Sequence, residues 1–431
     1  MILDRMFLLR QCWLAILLTL SSATAFSAEE PTEPETVATR VRPEVYPLGA
    51  STGGFLVYPK ITFTYLHDDN VLANQGGGKV ASFATETAPE VSAHSNWSDN
   101  ALNMLASASL VRFADFPNEN YDDWLISADG RLDVTHDINL AGGGSVGHNH
   151  ISRTSADNSN TLEPITYTEN TAFARYTHRL GRFRFTLDTT VDRQNYDNAF
   201  NLVGGALVLV NEDERDHTET RTGLRAGYEA LPGQIYFVQL TQDRRDYNKP
   251  VEIANVERSS TGREALLGVS FVPGEIIFGT VSAGYSRRDY LHPFPDIDTP
   301  VYEASLHWNI THLTTANLVA QKTTGEAQTP LFSGYVSTST LFSIDHELRR
   351  HVLLNVSLNR IDDDYQAIAP AERRDTTYDI FMGPTYMINR NFYVSAQYHR
   401  LQRNSTDNTL APGVSDDFRK NIILVKLQAQ L

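Results

Sequence analysis

The sequence predicts an all-β protein: a transmembrane, antiparallel, up-and-down β-barrel of about eighteen strands, with both termini in the periplasm. Three observations lead there. Beyond the N-terminus no run of 18 or more apolar residues occurs in the 431-residue chain, which excludes spanning by α-helices. From Tyr58 onward, alternating polar and apolar residues recur in segments of about 11–16 residues, a pattern weak in each segment and strong in series. The chain then finishes on Ile423, Val425, Leu427, Ala429 and Leu431, alternating with Lys426, Gln428 and Gln430. A chain that ends inside a sheet suits a barrel, which must join its last strand to its first because hydrocarbon tolerates no open edge. An edge strand of a soluble domain would explain the last segment alone, but not the series before it.

Taken in order, residues 1–25 resemble a secretory leader: Arg5 and Arg10 precede an apolar core from Trp13 to Leu20, and Ala23-Thr24-Ala25 fits a small-x-small cleavage site. The one cysteine, Cys12, lies in that leader, so no disulfide or cysteine-bound metal is expected in the mature chain. Residues 26–54 are polar and spaced by Pro31, Pro34, Pro43 and Pro47, and read as a periplasmic tail, with a small plug as the alternative. Residues 55–431 supply the barrel. Its strands are expected at about 55–69, 80–96, 101–114, 121–135, 137–152, 163–178, 181–196, 215–230, 233–247, 258–272, 275–290, 299–310, 313–324, 332–345, 349–363, 373–387, 390–404 and 416–431.

The connections alternate in length. Short ones include His136-Asp137, Leu231-Pro232-Gly233, Pro273-Gly274 and Asp345 to Arg349, several with the Pro-Gly or Asx chemistry of tight turns. Long ones, such as 153–162, 197–214 and 405–415, fall between them. Short periplasmic turns and long outer loops are expected of such a barrel.

On many strands the two faces separate. Phe183, Phe185, Leu187 and Val191 oppose Arg182, Arg184, Thr186 and Asp188. The polar set is too ionic for a dry core, so it is placed around a hydrated lumen. Candidate lumen residues are Arg182, Arg184, Asp188, Arg221, Arg225, Glu229, Glu303, His307, Gln397 and His399. A basic residue recurs near the outer end of the outward-running strands, in phase with the apolar face: Arg112, Arg193, Arg244, Arg287, Lys322, Arg360 and Arg400. It predicts a ring meeting lipopolysaccharide phosphates through charge-assisted hydrogen bonds. Cations snorkelling at strand ends are the alternative. Arg153 is the candidate for the position the series skips. Aromatic girdles are expected from Phe183, Tyr236, Trp308 and Phe392 at one interface and Trp124, Tyr247, Tyr290 and Tyr302 at the other.

Chemistry for catalysis is sparse. His148-Asn149-His150 and His307 with His312 are the nearest approach to metal spacing and lack carboxylate partners, so no metal or cofactor is expected. No Ser-His-Asp set stands out, and the chain is read as a non-enzyme. The net charge of −16 argues against a nucleic-acid partner.

The stretch Thr64-Tyr65-Leu66-His67-Asp68-Asp69-Asn70-Val71-Leu72 resembles the end of the first strand in outer-membrane β-barrel porins found with exopolysaccharide gene clusters, the EpsL-like or VpsM-like proteins. Asp68-Asp69-Asn70 is the compact motif, and His67 stands where an aromatic is usual. The endings Asp243-Arg244-Arg245-Asp246-Tyr247 and Ser286-Arg287-Arg288-Asp289-Tyr290 are similar to that family's Arg/Tyr pattern. The resemblance implies a barrel that carries secreted polysaccharide across the outer membrane. Its expected partners are a periplasmic polysaccharide-export protein and an inner-membrane polymerase–flippase system. A small-solute uptake porin and a docking barrel for an export complex are the alternatives. For Asp68, Asp69 and Asn70 the residues themselves suggest a turn-anchoring role.

Overall fold

The computed structural model describes residues 34–156, 158, 161–250, 256–327, 331–368, 370–408 and 416–431; the leader expected over residues 1–25 lies outside them. The wall is built from β1 (Phe55–Asp68), β2 (Ser82–Ser95), β3 (Ala101–Phe113), β4 (Tyr121–Thr135), β5 (Ile138–His150), β6 (Thr166–Leu180), β7 (Phe183–Tyr196), β8 (His217–Leu231) and β9 (Gln234–Tyr247). It continues through β10 (Ser260–Phe271), β11 (Ile277–Tyr290), β12 (Ile297–Thr311), β13 (Thr314–Glu326), β14 (Phe332–Arg349), β15 (Val352–Ala367), β16 (Arg373–Met387), β17 (Phe392–Asp407) and β18 (Phe418–Gln430). Each pairs antiparallel with its sequence neighbours. β18 pairs with β1, from Lys60 opposite Gln430 to Asp68 opposite Ile422, and so closes the cylinder. All eighteen expected strands are present.

Period-two alternation drives this arrangement. On β7, Phe183, Phe185, Leu187 and Val191 are exposed on the outer surface while Thr186 and Asp188 are buried inside. At the seam Phe63 stands opposite Leu427 and Tyr65 opposite Val425, so the greasy band continues across the closure. A register slip of one residue would turn every such side chain inward. The tight turns at one end use glycine where the backbone turns left-handed, at Gly181 (φ 59°) and Gly233 (φ 76°).

Three features depart from the expectation. Asp345 to Arg349 is not a turn: β14 runs on to Arg349, with Asp345 and Glu347 inside the wall. Their charge resembled a turn because the groups that pair with them lie far away in sequence. Within the connection 197–214, Ala199–Val203 and Ala206–Val210 form a separate hairpin. The segment before β1 packs against the barrel, and Ala50–Thr52 pairs with Phe55–Val57.

Candidate functional site

The lumen wall is read from the inward parity of each strand. Arg184, Asp188, Arg221, Arg225, Glu229, Glu303, His307, Gln397 and His399 share the parity of the buried polar residues on their strands. Arg182 does not join them: with Gly181 it forms the turn between β6 and β7 and is exposed there. Asp188 faces Arg175 and Arg221, and Glu303 faces Arg221 and Arg225. Arg225 stacks on the Phe237 ring at 3.6 Å. His307 lies 2.8 Å from Asn317 Oδ1, and His399 2.7 Å from the buried Asp379. Charge is unevenly shared around the cylinder. On β6 to β8 inward arginines alternate with the carboxylates Glu169, Asp188, Asp192, Glu219 and Glu229, whereas on β14 to β16 the carboxylates Asp345, Glu347, Asp363, Asp375 and Asp379 outnumber the buried Arg373. Those two walls face each other, because strands eight or nine places apart in a ring of eighteen are nearly opposite.

At the turn end, residues 34–49 dock against inward-facing side chains of the wall and against the turns at its rim, where Arg350 pairs with Glu44 (3.0 Å) and Arg390 donates to the Pro43 carbonyl (2.8 Å). Four inward-facing side chains hold the segment's backbone and side chains. Asn309 Nδ2 donates to the Glu35 carbonyl (3.1 Å), and the Val37 N–H donates to Thr315 Oγ1 (3.0 Å). The Tyr393 hydroxyl donates to the Val45 carbonyl (2.7 Å). Glu347 accepts from Arg42 at 2.7 Å, and both residues are buried. Arg42 also donates to the Val37 carbonyl (2.8 Å), folding the segment on itself. Val37 and Val45 are buried, while Val41, Tyr46 and Leu48 remain exposed. A segment that alternates buried and exposed apolar residues is docked, not a solvated tail. Pro spacing hid this from the sequence, since the anchoring partners lie some 270–350 residues away.

At the loop end, the described residues 151–156 of the connection 151–165 reach across the mouth. The connection leaves between β5 and β6, yet Ala156 packs against Ala327, Phe332 and Tyr365, and Arg403 donates to the Thr154 carbonyl. The loop thus touches β14, β15 and β17, on the opposite wall. Its root is fixed by Arg153, whose guanidinium makes two 2.8 Å bonds to Glu119, both side chains buried. Arg153 is therefore an internal brace and does not fill the skipped place in the outer ring. Tyr247 and Tyr290 also turn inward at this end: both are buried, both hydroxyls address Glu326, and Arg245 Nη1 lies 3.1 Å from the same carboxylate. They share the parity of Arg245 and Arg288, so they are not girdle residues. Trp124, Tyr302, Phe183, Tyr236, Trp308 and Phe392 are exposed on the outside.

The outer ring faces outward, as the phase required, but it is not purely basic. Arg112 pairs with Asp122 (2.6 Å), Arg244 with Asp246 (2.9 Å), Arg287 with Asp289 (2.6 Å) and Arg360 with Asp362 (2.8 Å). Arg400 donates to Gln402 (3.1 Å), Arg193 is exposed and Lys322 half-buried. The Arg-x-Asp spacing of the last three aspartate pairs was visible in the sequence, since two residues along a strand is one step along the same face; Asp122 comes instead from the neighbouring strand β4.

Asp68-Asp69-Asn70 is a clasp across the seam. Lys420 Nζ lies 2.6 Å from the buried Asp68 carboxylate, which also accepts the Asn70 N–H (2.9 Å). Asp69 accepts the backbone N–H and side-chain amide of Asn421, both at 2.6 Å, and its own N–H donates to the Asn421 carbonyl (3.1 Å). Asn70, fully buried, donates to the carbonyls of Asn74 (2.8 Å) and Arg419 (3.0 Å). Burial pushes the Asp69 carboxyl up, but the Asn421 bonds and the charges of Lys79 and Lys420 outweigh it and hold it below its ordinary value. The motif thus ties the end of the first strand to the start of the last. The turn-anchoring expectation captured half of this; the other half needed the partners at 419–421.

The model of the family described as "Putative beta-barrel porin 2" matches residues 42–431. No curated protein sequence matches the chain. Among solved structures, the siderophore receptor PirA from Acinetobacter baumannii superposes with a TM-score of 0.48 at 9% identity, over 87% of this chain and 80% of that one. OccK2 (OpdF) from Pseudomonas aeruginosa gives 0.48 at 10% identity, over 88% and 100%. The copper transporter OprC gives 0.46 at 10% identity, over 93% and 81%.

Proposed function

Since the chain belongs to the beta-barrel porin 2 family and resides in the bacterial outer membrane, we propose that its lumen passes secreted exopolysaccharide outward. Porin-family membership and the closed barrel point to a channel, not an enzyme. The observation that carries the export reading is the lining: hydroxyls, amides and charges of both signs follow one another along the inner wall. Such a wall offers weak, repeated hydrogen bonds, and a polymer must bind loosely at each station to move on. The likeness of Asp68-Asp69-Asn70 to the porins of exopolysaccharide clusters supports the same reading.

With short turns toward the periplasm, both termini and the docked segment 34–49 face the periplasm, after a secretory leader over 1–25 has been removed. A periplasmic polysaccharide-export protein would then meet the barrel at that end. Outside, the ring of Arg112, Arg193, Arg244, Arg287, Lys322, Arg360 and Arg400 would address lipopolysaccharide phosphates. Aspartates pair with four of its seven cations, so the ring keeps positive charge for phosphates while offering carboxylates to bridging cations. Replacing several ring cations with Glu should hinder outer-membrane assembly; normal assembly would remove the lipid role.

Deleting the gene in its host should abolish surface polysaccharide and leave small-solute uptake intact. A host that keeps its polysaccharide but takes up small hydrophilic solutes more slowly would instead establish an uptake porin. The obstructions at both ends favour that second reading, since small solutes need less clearance than a polymer. An absence of conductance in planar bilayers, with co-purification of a periplasmic protein, would mark a docking barrel.

A further inference from the structure

We propose that the hairpin of Ala199–Val203 and Ala206–Val210, with the outer face of β7 to β9 beneath it, is the surface through which two copies of this chain associate in the membrane. From Asn198 to Asn211 no residue is charged. The hairpin register sets Phe200 opposite Leu209 and Leu202 opposite Leu207, so these four side chains share one face. Each is at least half exposed. The direction of that face follows from the residue beside it. Ala199 packs against the buried cluster of Ile151, Ile165, Tyr167 and Tyr196, at the inner rim of β6 and β7. Successive side chains on a strand point to opposite faces, so Phe200 and the three leucines turn away from the mouth. The Leu162 N–H donates to the Phe200 carbonyl (2.8 Å) and holds the hairpin at the β6 side. Lower on the chain the exposed Asp197 and Arg193 separate this face from the lipid band.

A two-stranded hairpin is marginal in water, and a bare apolar face on one calls for a cover. Lipopolysaccharide above the lipid band offers sugars and phosphates, which do not bury leucine. Lateral neighbours in the membrane remain. A second copy meets the face at the right height, because the membrane holds every copy in one orientation. A twofold axis along the membrane normal then brings the face against itself. The four side chains are uncharged, so they do not repel their copies.

Area extends the surface downward. Specific interfaces bury about 800 Å² on each side, whereas a five-residue hairpin measures only about 17 Å by 10 Å. The wall below must contribute, and there the outer face is not purely apolar. Thr189, Thr222 and Gln242 stand in one row across β7, β8 and β9. The hydroxyls of Thr189 and Thr222 bond each other (3.2 Å). The exposed Gln242 amide has no hydrogen-bond partner among the described residues. Polar side chains on a membrane-facing wall join chains. An amide, donor and acceptor at once, can pair with its own copy reciprocally.

Association through this surface is independent of what the lumen carries, so its failure leaves the pore untouched. Cross-linking in intact outer membranes tests it, in a Cys12→Ser background that removes the one native thiol. Leu207→Cys, treated with a mild oxidant, should give a disulfide-linked band of twice the chain's mass. Arg374→Cys, exposed at the same end on β16 across the barrel, should stay single. No dimer from Leu207→Cys, or equal dimer from both sites, overturns the surface. A cross-linked band of another mass marks a different protein on the hairpin and overturns the second copy. Sedimentation of the purified barrel then gives the affinity. Leu207→Asp/Leu209→Asp should raise the dimer dissociation constant at least about tenfold, since it buries unpaired charge. Gln242→Ala should raise it severalfold. Folding is checked by the heat-dependent shift in gel mobility, and should the double variant fail to fold, Leu207→Ser is read in its place. A folded hairpin variant that dimerises as tightly as the native barrel overturns the hairpin's part.

Discussion

The two ends of the barrel are narrowed by different means. At the turn end the obstruction is a segment tethered to the wall by one connection, residues 34–49, held by side-chain bonds and the buried Arg42–Glu347 pair. At the loop end it is a connection anchored at both ends, residues 151–165, braced at its root by Arg153–Glu119 and touching the far wall near Thr154 and Ala156. Once the bonds of segment 34–49 break, its described part is held to the wall only where it joins β1. A loop fixed at both sides can only swing. The turn end is thus the place where the pore can open widely, and the loop end the place where its outline is set.

The largest effect should come from removing residues 34–49. Single-channel conductance should rise severalfold, while the barrel's gel mobility stays that of a folded cylinder. Unchanged conductance would mean that the segment lies along the wall without narrowing the path. Next is Glu347→Ala, which strands Arg42 in a buried site at a cost of about 3–5 kcal/mol. The segment should undock, and a protease added from its side should cut within 34–49; equal protection in both proteins would show that the pair is not the latch. Arg403→Ala should act more weakly, because the loop keeps its root. Bursts of higher conductance are expected without a change in the main level.

Smaller still is the seam. Asp69→Asn should lower the midpoint of thermal unfolding by a few degrees and leave conductance alone. The Asp69 carboxyl is held below its ordinary value of 3.8. Its contribution is therefore complete above that value and is lost as pH falls through the lower, folded-state value. The stability gap between Asp69→Asn and the native barrel should close under such acid; a gap that persisted would assign the clasp to Asp68 and Asn70. The least effect is expected at Arg112→Gln on the outer surface, where an exposed pair with Asp122 is worth at most about 1 kcal/mol.

Much of the wall was legible because a barrel strand carries its environment in its own alternation. Strands β4 and β16 were placed at their observed bounds, and the lumen residues other than Arg182 fell on the expected face. Arg182 failed for a local reason: β6 runs on to Leu180, so the turn falls at Gly181-Arg182 and the next strand starts at Phe183, later than the expected start at residue 181. Tyr247 and Tyr290 were misassigned although their parity with Arg245 and Arg288 was readable, because aromatic content outweighed phase. What stayed hidden was long-range. Nothing beside Arg42 announces Glu347, and nothing in Asp68-Asp69-Asn70 points to Lys420 and Asn421.

The order of residues by itself determined a closed cylinder, apolar outside and hydrated inside, since each strand's two faces are set by neighbours two positions away. Only the tertiary structure decided how open that cylinder is and where its charge lies. Closing the ring brings β6 opposite β15 and carries residues 34–49 to β12, β13, β14 and β17. Those meetings depend on the number of strands and on the closure itself, which no local pattern encodes.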